Sequence, residues 1–399
     1  MLSKEQNAAL SCCKFNKSIF ITGPGGVGKS YFIKELVKEF PNTVVTALTG
    51  CAAILLGCGA QTIHSWSGIG IGGDKNSVLR RVMRNKFAVG RWRICKILVI
   101  DEISMMSKDM FDTLDFVARK VRKKDRFFGG IQLVCSGDFH QLPPVEGESC
   151  AESKLWKYLK RIEFKTNYRQ KDNLWLSILN QIRVGQLESK YEETLIERIQ
   201  PPPSDIVTLL PKRKMVDEIN HSKYNEISQP EVKYTMKPVI EKNNWTKEQL
   251  ANFEIKIKKL VSQVLVDKVV RLKVGCRVML VCNLDLDREL INGSQGVVTK
   301  LTKQSCVVKF DNGVTETITP HTWLCGEEHK GKEIKVGIKQ MPLILSYAIS
   351  IHKAQGMTLE RAYIDCGVDI FDYRQIYVAL SRVKTLSGLY LKNLAINTV

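Results

Sequence analysis

The sequence predicts an α/β protein built on parallel sheets covered by helices, with a small all-β segment set into its second half. Three observations carry that reading. A glycine-rich loop joins an apolar strand to an amphipathic helix near the start of the chain, short apolar strands alternate with helical segments through the first half, and hairpin signals punctuate residues 268–340. Alternation of strand and helix implies parallel pairing, because a crossover helix is what returns the chain to begin a parallel neighbour.

Taken in order, Ser18-Ile19-Phe20-Ile21-Thr22 reads as a short buried strand and Tyr31 to Phe40 as an amphipathic helix. Between them, Gly23-Pro24-Gly25-Gly26-Val27-Gly28-Lys29-Ser30 fits G-x-x-x-x-G-K-[ST]. The glycines let backbone N–H groups turn toward an anion where a side chain would clash. Lys29 has the reach for β- and γ-phosphates, and Ser30 has a hydroxyl to hold Mg²⁺. These residues point to ATP or a close relative, with Mg²⁺, as the bound nucleotide.

Thr43 to Leu48, Lys96 to Ile100 and Ile131 to Cys135 are further strands, and Lys108 to Lys124 shows helical spacing through Met110, Leu114, Val117 and Val121. Residues 67–93 break the pattern with glycines and with Arg80, Arg81, Arg84, Arg91 and Arg93, which suits an inserted, surface-exposed subdomain. Pro201-Pro202-Pro203 cannot continue a helix or a central strand, so it reads as a linker closing a first domain at 1–200. Ile206 to Leu210 restarts the α/β pattern, giving a second domain from 204–267 and 341–399. It surrounds a 268–340 insertion whose runs, such as Arg277 to Val281 and Gly296 to Val298, are separated by Asn292-Gly293 and Asp311-Asn312-Gly313.

At 399 residues the chain exceeds one ordinary core, and 44% hydrophobic with 25% charged residues is the balance of a soluble globular protein. The net charge of +19 is spread along the chain rather than gathered in a tail, and its natural partner is a polyanion such as nucleic acid. No apolar run reaches membrane-spanning length and Met1 to Gln6 begins directly in a helix-like segment. An intracellular protein of nucleus or cytoplasm, with no membrane partner, is the expectation. The twelve cysteines include no C-x-x-C pair and sit mostly in apolar runs, so they read as reduced core residues. His321, Cys325 and His329 have ligand-like spacing but lack an evident fourth ligand, and no metal is expected there.

Ile97-Leu98-Val99-Ile100-Asp101-Glu102 is an apolar strand ending in two acids. It would deliver Asp101 to the edge beside the phosphate loop to hold Mg²⁺ through water, with Glu102 as general base for the attacking water. Gln141, in Gly137-Asp138-Phe139-His140-Gln141, is a γ-phosphate sensor or part of an ordinary turn. Arg169 and Arg382 are arginine fingers that would stabilise the transferring phosphoryl, or surface arginines. Thr62 to Trp66, with His64, and Ser350 to Thr358, with His352 and Lys353, combine hydroxyls, imidazoles and amines that suit phosphates. Trp66 would stack on a base or fill the core.

In this order the blocks resemble superfamily 1B helicases, and specifically the Pif1 family of DNA helicases, from Gln6 to about Leu391. Gln6 resembles the family's adenine-recognising glutamine, and the phosphate loop, Thr46 to Ala53 with Thr49, Asp101-Glu102 and Gly137 to Gln141 are similar to motifs I, Ia, II and III. Arg169 matches motif IV, Ser350 to Thr358 motif V and Tyr377 to Arg382 motif VI; Ala118 to Arg122 and Phe128 to Gln132 look like the family signature. The resemblance implies two RecA-like P-loop domains with a small 1B insertion and an SH3-like 2B insertion. It implies Gly356 at the nucleotide, and Thr49, His64, Trp66, His352, Lys353, Thr358 and Tyr377 on DNA. It further implies ATP-driven 5′-to-3′ movement on single-stranded DNA and unwinding of tailed or forked duplex, in replication, repair or recombination. G-quadruplexes and RNA–DNA hybrids are further substrates to consider, and a monomer is expected off DNA. Ala354 stands where the family more often has Ser, implying one phosphate contact fewer. An RNA helicase, or a DNA-stimulated ATPase that remodels complexes without separating strands, are the competing classes.

Overall fold

The computed structural model describes residues 2–70, 73–202, 206–240, 245–285, 287–329, 332–367, 369–370 and 373–394. It divides into two compact units, Met1–Gln170 and Lys171–Val399.

The first unit opens with α1 (Lys4–Lys14), started by a reciprocal cap in which the Ser3 hydroxyl accepts from Gln6 N and the Gln6 side chain accepts from Ser3 N. Then come β1 (Ile19–Thr22), α2 (Lys29–Glu39), β2 (Thr43–Ala47), α3 (Gly50–Leu56) and β3 (Gln61–Thr62). Three inserted helices follow, α4 (Ile63–Ser67), α5 (Lys75–Arg84) and α6 (Lys86–Ile94). After them β4 (Ile97–Asp101), α7 (Lys108–Arg122), β5 (Gln132–Ser136) and β6 (Lys160–Glu163) complete the unit. The strands form one parallel sheet in the order β3-β2-β4-β5-β1-β6. Every residue of β1, β4 and β5 is buried, as continuous apolar strands must be when helices cover both faces. Parallel pairing brings the carboxyl ends of these three strands to one edge, where Gly23, Glu102 and Gly137 leave the sheet.

The 67–93 segment is less of a surface arm than its arginines suggested. Val78, Val82, Ala88 and Trp92 are buried in the same core as Phe111 and Phe128 of the sheet's helical cover. Arg80, Arg84 and Arg93 are exposed as expected, whereas Arg91 donates through Nε to Trp66 O at 2.8 Å and through Nη2 to Ser65 O at 3.1 Å, and Arg81 Nη1 donates to Ile69 O.

The stretch that resembles the family signature is a clamp. Arg122 donates to Gly129 O at 2.7 Å, Trp92 O at 2.7 Å, Arg93 O at 3.0 Å and Cys95 O at 2.9 Å, tying α7 to the chain that enters β4. Asp115 Oδ1 accepts from Phe128 N at 2.7 Å. Gly129 must be glycine: its φ is +59°, and a Cβ would stand 2.7 Å from Ala118 O. Hydrogen bonds from a charged donor to backbone carbonyls are among the stronger ones.

In the second unit, α8 (Asn173–Val184) and α9 (Ser189–Ile196) precede β7 (Thr208–Leu210) and α10 (Arg213–Asn225). The chain continues through β8 (Val232–Thr235), β9 (Lys237–Ile240), α11 (Lys247–Gln263), β10 (Val269–Leu272) and β11 (Arg277–Leu280). Next are β12 (Gln295–Leu301), β13 (Cys306–Phe310), β14 (Thr315–Ile318), β15 (His321–His329), β16 (Lys332–Gln340) and β17 (Leu343–Leu345). Last come β18 (Ala348–Ser350), α12 (Ile351–Ala354), β19 (Ala362–Cys366), α13 (Tyr373–Leu380) and β20 (Leu389–Leu394). A parallel sheet, β18-β7-β19-β20, forms the second α/β layer. Antiparallel sheets β14-β13-β12-β11-β17, β15-β16-β9 and β10-β8 form the all-β part.

Two boundaries differ from the sequence expectation. The division falls at Gln170, ahead of the prolines, because α8 and α9 are bonded into the second unit: Trp175 Nε1 donates to Val383 O at 3.0 Å and Leu391 N to Arg198 O at 2.8 Å. The antiparallel sheets also draw on β8, β9 and β17, which lie outside 268–340. Pro203 lies outside the described residues. Among the described side chains ten cysteines are free thiols, buried except for Cys12 and Cys58, and burial pushes Cys13 up to about 12. The side chains of Cys325 and His329 lie outside what is described. No cluster of three or more metal-ligating side chains occurs among the described residues, and no described helix is long and apolar enough to cross a membrane.

Replacing Arg122 by Ala leaves carbonyls of four residues without their donor. An unfolding free energy lowered by about 2–4 kcal/mol is the expected result in urea titration, with Lys recovering only part of it.

Candidate functional site

The phosphate loop is shaped by what lies behind it. Gly23, Gly26 and Gly28 have φ of +138°, +89° and +79°, and a Cβ at Gly23 would stand 2.3 Å from Phe164 O. A Cβ at Gly26 would meet Arg169 Cβ at 2.5 Å and Asn167 Oδ1 at 2.9 Å. Val27 is the loop's anchor, buried against the core that holds Phe32 and Phe164. Pro24 and Gly25 complete the turn, and the loop's backbone is gripped from outside at Gly25 and Gly26: Asn167 Nδ2 donates to Gly25 O at 2.9 Å and Tyr168 N to Gly26 O at 2.9 Å. Asn167 Oδ1 accepts from Arg169 N at 2.8 Å and Gln170 N at 2.9 Å, so one side chain locks the loop to the strand exit that carries Arg169. Asn167 was not legible as functional from sequence. Its only signal was its place two residues before the candidate finger.

Lys29 opens α2, and its ammonium donates to Gly23 O at 2.6 Å and Pro24 O at 3.0 Å, which holds it over the loop. Ser30 is exposed beside it. Gln6 is 1% exposed; its Oε1 accepts from Ser3 N and its Nε2 donates to Gly28 O at 3.3 Å. In this arrangement Gln6 bolts α1 to the phosphate loop, and its amide is spent on the protein rather than offered to a base. The Ser-x-x-Gln spacing of a capping box carried that signal in the sequence.

Asp101 ends β4 and is 6% exposed. Burial pushes its carboxyl above the ordinary range, against the Ser136 hydroxyl, the Glu102 backbone N–H and the Lys29 charge, which favour the carboxylate. Ser136 ends β5, between β4 and β1, and puts its buried hydroxyl beside the Asp101 carboxyl. A buried carboxylate, the buried Ser136 hydroxyl beside it and the exposed Ser30 hydroxyl are hard oxygen donors of the kind Mg²⁺ takes, partly through water. The residues fit the ion.

Glu102 is held at φ 54°, ψ 39°, a left-handed conformation costing a non-glycine residue roughly 1–2 kcal/mol. Gly137 makes room for this turn, since a Cβ there would lie 2.9 Å from Ile103 Cγ2 and 3.1 Å from Ile103 N. Strain kept at the end of a catalytic-type strand fits a side chain aimed at a reactant. Gln141 is 5% exposed just past β5, its N–H donating to Asp138 O at 2.8 Å. The first unit therefore gathers Lys29, Ser30, Asp101, Glu102, Gln141 and Arg169 along one sheet edge or its immediate exits.

The nucleic-acid residues divide. Thr49 caps α3, accepting from Ala52 N, and His64 is half-buried on α4. His352 and Lys353 are exposed on α12, Thr358 is half-buried, and Gly356 sits in an exposed turn at φ +83°. Two expectations are corrected by burial. Trp66 is 1% exposed with its ring 4.6 Å from that of Trp92, and Tyr377 is 1% exposed, so neither presents a face to a base. Arg382, in the second unit, is 2% exposed; its Nε donates to Val378 O at 2.8 Å and Nη2 to Ser381 Oγ at 2.8 Å. Ala354 is fully buried, so its methyl fills the core and the position faces no phosphate.

Fold and site together define a RecA-like P-loop protein with a second parallel sheet and an antiparallel module. The family model described as PIF1-like helicase matches residues 1–192, and the DNA helicase Pif1 2B domain model matches 257–301. The ATP-dependent DNA helicase PIF1 of Xenopus laevis is 36% identical over 97% of this chain. The chain spans 61% of that protein's length, and a similar share of the next curated relatives. The crystal structure of the Pif1 helicase from Candida albicans, 33% identical, covers 100% of this chain and 96% of its own at a TM-score of 0.75. That of Bacteroides sp Pif1 in complex with ADP-AlF4, 29% identical, covers 99% and 93% at 0.83. This chain belongs to the Pif1 helicase family.

Two measurements test the site. Asp101→Asn removes a buried charge that is penalised in the fold. Because the folded state holds its proton to higher pH than the unfolded one, native stability falls as pH rises through that window. The variant should therefore melt higher than the parent at pH 7 without nucleotide or metal, with the gain vanishing near pH 3, while ATP hydrolysis drops by about a hundredfold or more. Asn167→Ala should weaken ATP binding about tenfold, or about 1.4 kcal/mol by titration calorimetry, with a smaller loss of stability than Arg122→Ala because the loop it braces is partly exposed.

Proposed function

We propose that this protein is an ATP-dependent DNA helicase that moves 5′ to 3′ along single-stranded DNA and unwinds tailed or forked duplex. The observation that carries the reading is the convergence of Lys29, Asp101 and the strained Glu102 on one sheet edge in a chain of this family. Ser30 and Asp101, with Ser136 nearby, would hold Mg²⁺, which supplies charge neutralisation on the phosphates. Lys29 binds the β- and γ-phosphates by exchanging its Gly23 and Pro24 carbonyl contacts for phosphate oxygens. Glu102 takes a proton from the attacking water, and Gln141 and Arg169 respond to the γ-phosphate. Arg382 keeps the role of second arginine, which requires its Val378 and Ser381 bonds to exchange. Gln6 reads adenine only if its Ser3 and Gly28 bonds do the same.

Thr49 and His64 in the first unit, and His352, Lys353 and Thr358 in the second, are the proposed strand contacts. The net charge of +19 makes binding steeply salt-dependent through counterion release. A role in replication, repair or recombination, a monomeric state off DNA, and action on G-quadruplexes or RNA–DNA hybrids extend the same proposal, as does residence in nucleus or cytoplasm.

The test is ATP-driven unwinding of a duplex with a 5′ or a 3′ single-stranded tail, with Lys29→Ala as control. Unwinding of only the 5′-tailed duplex, lost in Lys29→Ala while ATP-free strand binding persists, is the expected outcome. Unwinding from the 3′ tail would reverse the polarity. Hydrolysis without unwinding would make the protein a remodelling ATPase, and stimulation by RNA alone would make it an RNA enzyme.

A further inference from the structure

The edge of the first sheet opposite the phosphate loop has no part in the site above. Parallel pairing places the starts of β1, β4, β5 and β6 along it, and four chain segments are stitched together there. Gln132 Nε2 donates to Cys13 O and Lys17 O, both at 3.0 Å, and Gln132 N donates to Lys96 O at 2.9 Å. Lys160 N donates to Ser18 O at 3.0 Å, and Arg122 binds the 92–95 carbonyls. The backbone of this edge is therefore firmly held.

Its side chains are of two kinds. Phe15 is 75% exposed and Tyr158 51% exposed, the first on the turn that Gln132 pins and the second beside Phe127, with ring centroids 5.1 Å apart. Along the same edge, Lys17, Arg93, Lys96, Lys124, Arg126 and Lys160 are all exposed, and no ion pair to a carboxylate is formed by them among the described residues. Lys157 Nζ lies 5.4 Å over the Tyr158 ring. Solubility charge alone does not call for large aromatic faces left in water on a braced backbone. Cations interleaved with an exposed Phe15 and a half-exposed Tyr158 are the chemistry of a single-strand platform, where rings stack on bases of any identity and amines follow the phosphates.

We propose that this edge binds a second stretch of single-stranded DNA, with bases on Phe15 and Tyr158 and phosphates on Lys17, Lys124, Arg126 and Lys160. The inference rests on the helicase reading, because a fork is the substrate that presents two single strands at once.

Fluorescence anisotropy without ATP, comparing a duplex bearing one oligo-dT tail with a fork bearing two, tests it across a salt series. The parent protein should bind the fork about tenfold tighter than the single tail. Phe15→Ala, Tyr158→Ala, Lys124→Ala and Arg126→Ala combined should bring that ratio near one and flatten the fork's log–log salt slope by about 1.4, at about 0.7 per phosphate contact on single strands. Single-tail affinity and DNA-stimulated hydrolysis should stay at parental values. A ratio near one in the parent, or an unchanged ratio in the variant, would overturn the proposal. So would a loss of single-tail affinity, which would put these residues on the main strand path, or competition at this edge by polyglutamate but not by oligo-dT, which would assign it to an acidic protein. Absence of unwinding with the ratio and its loss in the variant both intact would count against the helicase reading and leave this site supported.

Discussion

The site depends on the close approach of the 164–170 segment to the back of the phosphate loop. Phe164 O lies where a Cβ of Gly23 would be, and Arg169 Cβ lies where one of Gly26 would be. Glycine at those positions does two things. It lets the loop adopt positive φ so that N–H groups face the anion, and it lets a second chain segment brace the loop without a gap. Asn167 completes the brace by bonding the loop on one side and the backbone of Arg169 on the other. Asn167 and the Tyr168 N–H, which donates to Gly26 O, thus join the loop to the segment that carries Arg169.

Next to this brace, β4 and β5 hold the acids under tension of two sorts. Burial penalises the charge on Asp101, and the backbone conformation penalises Glu102. Both costs fall on residues aimed at the same edge, and both are borne by the core beneath, in which β1, β4 and β5 are buried throughout. A divalent cation offsets the first cost directly, since it favours the carboxylate that burial opposes. Were Asp101 to hold that cation, the stability of the free protein and its readiness for metal would be opposed at this residue.

The arginines show how far a basic sequence is from a basic surface. Arg122 and Arg91 bond backbone carbonyls, and Arg382 is enclosed by α13 and its exit. These guanidiniums are structural fasteners, chosen for donors that satisfy several carbonyls at once. Other lysines and arginines stay exposed, and on the first unit Lys17, Arg93, Lys96, Lys124, Arg126 and Lys160 lie at the edge away from the nucleotide.

The sequence by itself determined the α/β class, the phosphate loop, the Asp101-Glu102 strand end and the family, because each is written in contiguous residues whose spacing has one good physical use. Local pattern also located the antiparallel module through its Asn-Gly and Asn-Gly-type turns. Only the tertiary structure decided which side chains face the solvent. Trp66 and Tyr377 belong to runs that suit DNA, yet both are buried, since a helix turn presents only one of its faces and neighbours far along the chain, such as Trp92, choose which. Gln6 and Asn167 gained their roles from partners more than twenty and one hundred residues away. The unit boundary followed the same rule: prolines mark where a helix must stop, but Trp175 bonding to Val383 decided which sheet α8 serves. Chain-local forces fix elements, and the choice of partner is made by packing between residues that no local window contains.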